Sequence, residues 1–96
     1  VKYCIIDGAH IASRRELHKI LAESLEFPQW YGNNLDALYD CLTDEHEEIQ
    51  IELRNAREME QNLGIYAARF KKVLSDASAE NPRIKVMLNS DITENE

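Results

Sequence analysis

A chain of 96 residues, 44% hydrophobic and 30% charged, carries enough apolar material for one core and not for two. That balance excludes a disordered or fibrous protein, and no apolar run approaches the ~20 residues needed to cross a membrane. A net charge of −7 argues against nucleic acid as a ligand, because phosphate would be repelled.

The first element is KYCIID, residues 2–7, an apolar run closed by Asp7 and Gly8 that reads as a buried strand and a turn. It meets Asp7 too early to serve as the apolar part of a signal peptide. Ser13 and Glu16 have the spacing of a capping box, and Leu17, Ile20, Leu21 and Leu25 follow at helical intervals, predicting a helix over 13–26. Pro28 and Gly32 bracket a tight loop. Either Asn33 or Asn34 is suited to cap a short second helix whose Leu35, Leu38 and Leu42 face inward. EIQIEL, residues 48–53, alternates like a strand. Residues 55–63 are rich in helix formers and stop at Gly64. From Tyr66 to Glu80 a longer helix turns Phe70, Val73, Leu74 and Ala77 inward, until Asn81 and Pro82 end it. RIKVMLN, residues 83–89, is the third strand. Strands separated by helices need crossover connections, so the class is α/β, a three-stranded parallel sheet packed with helices in two layers. One domain over 1–90 and a polar tail over 91–96 are expected.

The charge is regional. Between Ile20 and Leu53 stand Glu23, Glu26, Asp36, Asp40, Asp44, Glu45, Glu47, Glu48 and Glu52, with no Lys or Arg among them. Within this window Asp36, Asp40 and Asp44 recur at intervals of four beside Trp30, Tyr31 and Tyr39. Like charges at that spacing repel by ~0.2–0.5 kcal/mol per pair on a helix, and Asp44 falls at the negative helix end. Asp36 and Asp40, one turn apart, suit an acid/base pair or an oxygen-rich metal site, but the spacing is common on solvated faces. The three glycines stand apart, so no phosphate-cradling loop is present. Cys4 and Cys41 read as small buried hydrophobes of a reducing compartment. His18 reads as a packed or capping histidine, and His10 and His46 lack partners at metal spacing. What remains is a binding surface, in which rings supply buried area and aspartates bond to Arg and Lys of a basic partner.

YGNNLDALYDCLTD, residues 31–44, closely resembles the signature of the barstar family, intracellular inhibitors of barnase-type guanyl-specific ribonucleases. Tyr31, Gly32, Asn34, Leu35, Asp36, Ala37, Leu38, Asp40, Cys41, Leu42 and Thr43 fit its pattern of Tyr-Gly-x-Asn-Leu-Asp-Ala-Leu followed by Asp-Cys-Leu-Thr. The resemblance extends through Asp7 and Gly8, Leu17 and His18, Phe27 and Pro28, IELR at 51–54, and the last helix and strand. It implies a barstar-like fold and a cytoplasmic protein that carries no catalytic residues. The partner it implies is a basic, extracellular-type ribonuclease, blocked by steric and electrostatic occlusion of its active site.

By the same resemblance Asp40 enters the ribonuclease's phosphate-binding pocket as main anchor. Asp36 is a second contact, Asp76 and Glu80 are acids of the later helix, and Gly32, Asn34 and Thr43 are further contacts. Trp30, Tyr31 and Tyr39 complete the expected surface. No metal, cofactor, nucleic acid or membrane is expected, and the chain is read as a monomer when free and a heterodimer with the ribonuclease. Trp30 stands where the family often has tyrosine, and Tyr39 where it often has tryptophan. After Thr43 the family commonly has Gly and Trp, whereas Asp44, Glu45 and His46 follow here, implying a ribonuclease more basic at the matching rim. Two other readings are an interaction module of this fold with a different basic partner, and a metal-dependent hydrolase using Asp36, Asp40, Asp76 and Glu80.

Overall fold

The computed structural model describes residues 1–89; Ser90 and the expected tail at 91–96 lie outside the described residues. Strands β1 (Lys2–Asp7), β2 (Ile49–Arg54) and β3 (Ile84–Asn89) form one parallel sheet in the order β1-β2-β3. Helices α1 (Arg14–Leu25) and α2 (Leu35–Thr43) connect β1 to β2. Helices α3 (Ala56–Leu63) and α4 (Ile65–Glu80) connect β2 to β3. The fold is the expected two-layer α/β architecture, and the predicted element boundaries move by no more than a residue at either end.

Register decides which side chains meet. Cys4 pairs with Ile51 and Ile51 with Val86, while Ile6 pairs with Leu53 and Ile49 with Ile84. The inward side chains therefore run in continuous rows across the sheet, and Ile6, Ile49, Ile51 and Leu53 are fully buried. Leu17, Leu21 and Leu25 of α1, Leu38 and Leu42 of α2, and Phe70 and Leu74 of α4 close over them. Tyr3, Ile5 and Met87 project from the other face into solvent, so helices cover one side only. Parallel sheets are usually covered on both. Burial pushes the Cys4 thiol up to about 11, which keeps it protonated.

Local chemistry fixes the helix ends. Ser13 Oγ accepts from Glu16 N at 3.2 Å, and Glu16 Oε1 reaches back to Ala12 N at 2.7 Å, one residue before the usual capping-box partner. Asp7 Oδ1 accepts from Ala9 N at 3.0 Å and from Asn55 Nδ2 at 2.8 Å, joining the end of β1 to the start of α3. Those bonds, that from Asn55 foremost, hold the Asp7 carboxyl below its usual range. A Cβ on Gly8 would lie 2.3 Å from the Asn55 carbonyl oxygen, so only glycine permits this approach. No described helix is long and apolar enough to cross a membrane.

Candidate functional site

The surface of interest rests on a buried polar chain. His18 of α1 is 1% exposed, and its Nδ1 and Nε2 each lie 2.6 Å from a phenol oxygen, that of Tyr31 and that of Tyr66. A neutral imidazole offers one donor and one acceptor, so one tyrosine donates and the other accepts. Burial lowers the pKa of His18 and favours that neutral form. It also pushes both phenols up. Phe27 packs on Tyr31 with ring centroids 4.8 Å apart, and the Arg14 guanidinium sits 4.3 Å from the Tyr66 ring centroid. Tyr31, expected on the contact surface, is thus a core residue that anchors the loop from beneath. Its neighbour Trp30 points the other way and is 75% exposed.

From that anchor the chain turns into α2. Tyr31 N donates to Pro28 O at 2.9 Å, and Asn33 takes the left-handed conformation with φ 56°. The choice between the two asparagines is thereby settled in favour of Asn34. Its Oδ1 accepts from Ala37 N at 2.8 Å, and its Nδ2 donates to Gly32 O at 3.3 Å. A Cβ on Gly32 would press to 3.1 Å from Asn34 Nδ2, so glycine leaves the cap room to form. Asp36 lies in the first turn of α2, where the helix dipole favours a negative charge.

Asp36, Asp40 and Asp44 are all exposed, and none makes an ion pair among the described residues. Asp36 and Asp40 share a groove of about 370 Å³ with Tyr39 and with Asp76 of α4. Asp76 is partly neutralised by Lys72 at 3.2 Å, and Arg14, Arg69 and Lys72 adjoin this groove on its far side. Glu80, at the exposed end of α4, does not line it. Tyr39 is half-buried against the core. Thr43 Oγ1 turns back to Tyr39 O at 2.8 Å, so its hydroxyl is spent within its own helix. Asp44 is the C-cap of α2 and lines a second cleft with Trp30 and Asp40. Cys41 is buried, and its thiol is pushed up by burial first and then by the charges of Asp40, Glu45 and Asp44. That field disfavours a nucleophilic thiolate. Among the described residues no three His, Cys, Asp or Glu side chains are grouped so as to hold a metal ion, Asp36, Asp40, Asp76 and Glu80 included.

One positioning residue escaped the reading of the sequence. Asn81 is 5% exposed, and its Nδ2 donates to Leu42 O at 3.0 Å and to Glu45 O at 3.1 Å, while its Oδ1 accepts from Arg83 N at 3.1 Å. It bolts the end of α2 to the end of α4. An asparagine before proline at a helix end signals only a stop, and nothing local says which distant carbonyls it will bond.

Compared with known families, residues 1–90 match the family model Barstar, described as "Barstar (barnase inhibitor)". The chain belongs to the barstar family. It is also similar to the Bacillus subtilis (strain 168) protein named "Putative ribonuclease inhibitor YrdF", 39% identical over 77 residues, which are 79% of this chain and 85% of that relative. In this barstar-family chain, His18, Asn34 and Asn81 tie the acidic helix and the loop before it into one body with α1 and α4.

Proposed function

We propose that the chain inhibits a barnase-type, guanyl-specific extracellular ribonuclease by covering its active site with α2 and the loop before it. Membership of the barstar family and a relative named as a ribonuclease inhibitor support ribonuclease inhibition in general. The observation that carries the finer reading is the row of exposed carboxylates at Asp36, Asp40 and Asp44, unpaired among the described residues and beside a largely exposed Trp30. A cleft that binds RNA phosphate must present cations, and carboxylates on a rigid helix offer them oxygens in place of phosphate. Asp40 is the main anchor, desolvated on docking against several donors. Asp36, Asp76 and Glu80 pair with flanking cations. Trp30 and Tyr39 supply buried area, and Gly32, Asn34 and Thr43 set the shape of the edge that meets the enzyme.

Inhibition on this reading is occlusion in a 1:1 complex and needs no cofactor or bond chemistry. The regional negative field steers the encounter, most strongly at low ionic strength. Two buried free thiols, Cys4 and Cys41, fit a cytoplasmic inhibitor that protects the producing cell. The test is a titration of the chain into RNA-cleavage assays with a panel of basic guanyl-specific ribonucleases, including one encoded beside its gene. Stoichiometric loss of cleavage is expected for at least one enzyme. Full cleavage at a large excess of the chain across the panel would leave the fold standing as an interaction module with another partner.

A further inference from the structure

On a chain of net charge −7, packing brings cations of two helices together beside the start of α2. Arg14 of α1 and Arg69 and Lys72 of α4 line one groove of about 520 Å³. Arg14 and Asn33 also line an adjoining groove with Arg15 and Lys19, so the basic surface continues along α1. Arg14, Arg15, Lys19 and Arg69 make no ion pair among the described residues, and only Lys72 is partly neutralised, by Asp76 at 3.2 Å. Arg69 and Lys72 lie three residues apart on α4, where like charges repel, so the fold gains nothing from setting them side by side. Arg14 is also held in place. Its guanidinium lies 4.3 Å from the centroid of the Tyr66 ring, and the Tyr66 hydroxyl is fixed by His18. The stacking leaves the planar N–H fork available and lowers the entropy lost when it bonds an anion.

The opposite wall differs. Leu35 and Val73 are half-buried there and give an apolar floor, and the exposed Asp36 carboxylate stands beside them without a cation among the described residues. The Asn33 side-chain amide has no partner among the described residues either. Cations at one end and a free carboxylate at the other fit a ligand with an anionic head and a body that donates N–H bonds. At ~30 Å³ per water the groove has room for such a body, well beyond a lone phosphate ion. A long polyanion fits less well, because beyond Asp36 its phosphates would meet Asp40 in the next groove. We propose that this groove is a binding site for a small phosphomonoester with an N–H-donating body, the class of a nucleoside monophosphate. The phosphate meets Arg14, Arg69 and Lys72, and the body lies on Leu35 and Val73 with its donors toward Asp36. The site does not depend on the inhibitory reading.

AMP is the probe, titrated into the free ¹⁵N-labelled chain at constant ionic strength and pH 7, where its phosphate carries about −1.5 to −2 charges. Inorganic phosphate and adenosine each remove one half of the ligand. Saturable shifts at the amides of Asn33, Leu35 and Arg69 and at the Arg14 side-chain Nε–H are expected for AMP, with Kd below ~1 mM. Inorganic phosphate should bind the same residues ~tenfold more weakly, and adenosine should give no saturable shift. Arg69→Gln, at an exposed position of α4, should weaken AMP by ~tenfold with an unchanged Tm. Asp36→Ala should weaken AMP but not inorganic phosphate, a split that general loss of structure would not produce. No saturation by AMP up to ~10 mM, equal responses to AMP and adenosine, or AMP binding indifferent to Arg69→Gln would overturn the proposal. So would a single-stranded oligonucleotide that binds more tightly than AMP, with shifts running through residues 15–23, since the surface would then be a track for nucleic acid.

Discussion

Replacing His18 with glutamine tests whether the buried imidazole holds the loop before α2. The ring is 1% exposed and bonds two phenols at 2.6 Å, one before α2 and one in α4. A glutamine amide has a donor and an acceptor, but on a flexible chain it cannot reach both hydroxyls in the geometry of a ring. At least one buried phenol then loses its partner, at a cost of ~1–3 kcal/mol. For a domain of this size a loss of ~2 kcal/mol lowers Tm by about 8–16 °C. The pH dependence separates this from ordinary packing damage. The pKa of His18 is lowered in the fold, so the unfolded chain binds the proton more readily. Its contribution is therefore complete above the ordinary imidazole pKa of ~6.5 and is lost as pH falls below that value. The maximal slope for one proton is ~1.4 kcal/mol per pH unit. Urea denaturation of both proteins between pH 8 and about pH 5 should show the wild-type curve falling on acidification and the His18→Gln curve flatter over the same window. Parallel curves, or a wild type that gains stability on acidification, would refute the argument.

The remaining predictions bear on the acidic surface and its supports. Asp40→Ala should weaken inhibition by the ~3–5 kcal/mol typical of breaking a desolvated charge pair, read from inhibition constants, with Tm unchanged within ~1–2 °C. Association with a basic ribonuclease, followed by stopped-flow, should slow by more than ~tenfold from low salt to ~0.5 M, while dissociation changes little. Asn34→Ala should cost ~1 kcal/mol in chemical denaturation, as loss of an N-cap does, whereas Asn33→Gly at φ 56° should be neutral or slightly stabilising. Asn81→Ala should cost ~2 kcal/mol in the same assay, because Glu45 O and Arg83 N lose their partner. It should also weaken inhibition beyond that stability loss, since the end of α2 is no longer bolted to α4.

Local signals sufficed for the elements of this protein. Strand alternation at 49–54, leucines at helical spacing in α1 and α2, and the stops at Gly64 and Asn81 each depend on neighbours a few residues away, so they are written in sequence order. The regional acidity and the aspartate row were legible for the same reason, since charge and helical period need no distant partner. Which of two adjacent side chains faces inward was another matter. Trp30 and Tyr31 have equal claims by composition, yet one is in water and the other in the core, because His18, thirteen positions earlier, supplies a buried hydrogen-bond partner for one phenol only. Asn81 likewise gained its role from carbonyls on another helix, and Asp76 met Asp36 and Asp40 only once α4 was packed against α2. Periodicity and capping are short-range, so the chain by itself determined its α/β order and its acidic helix. Hydrogen bonds between residues dozens of positions apart form only when the sheet brings their elements together. Tertiary structure alone therefore decided which acids share a groove, and that Trp30 with Asp44 opens a cleft beside them.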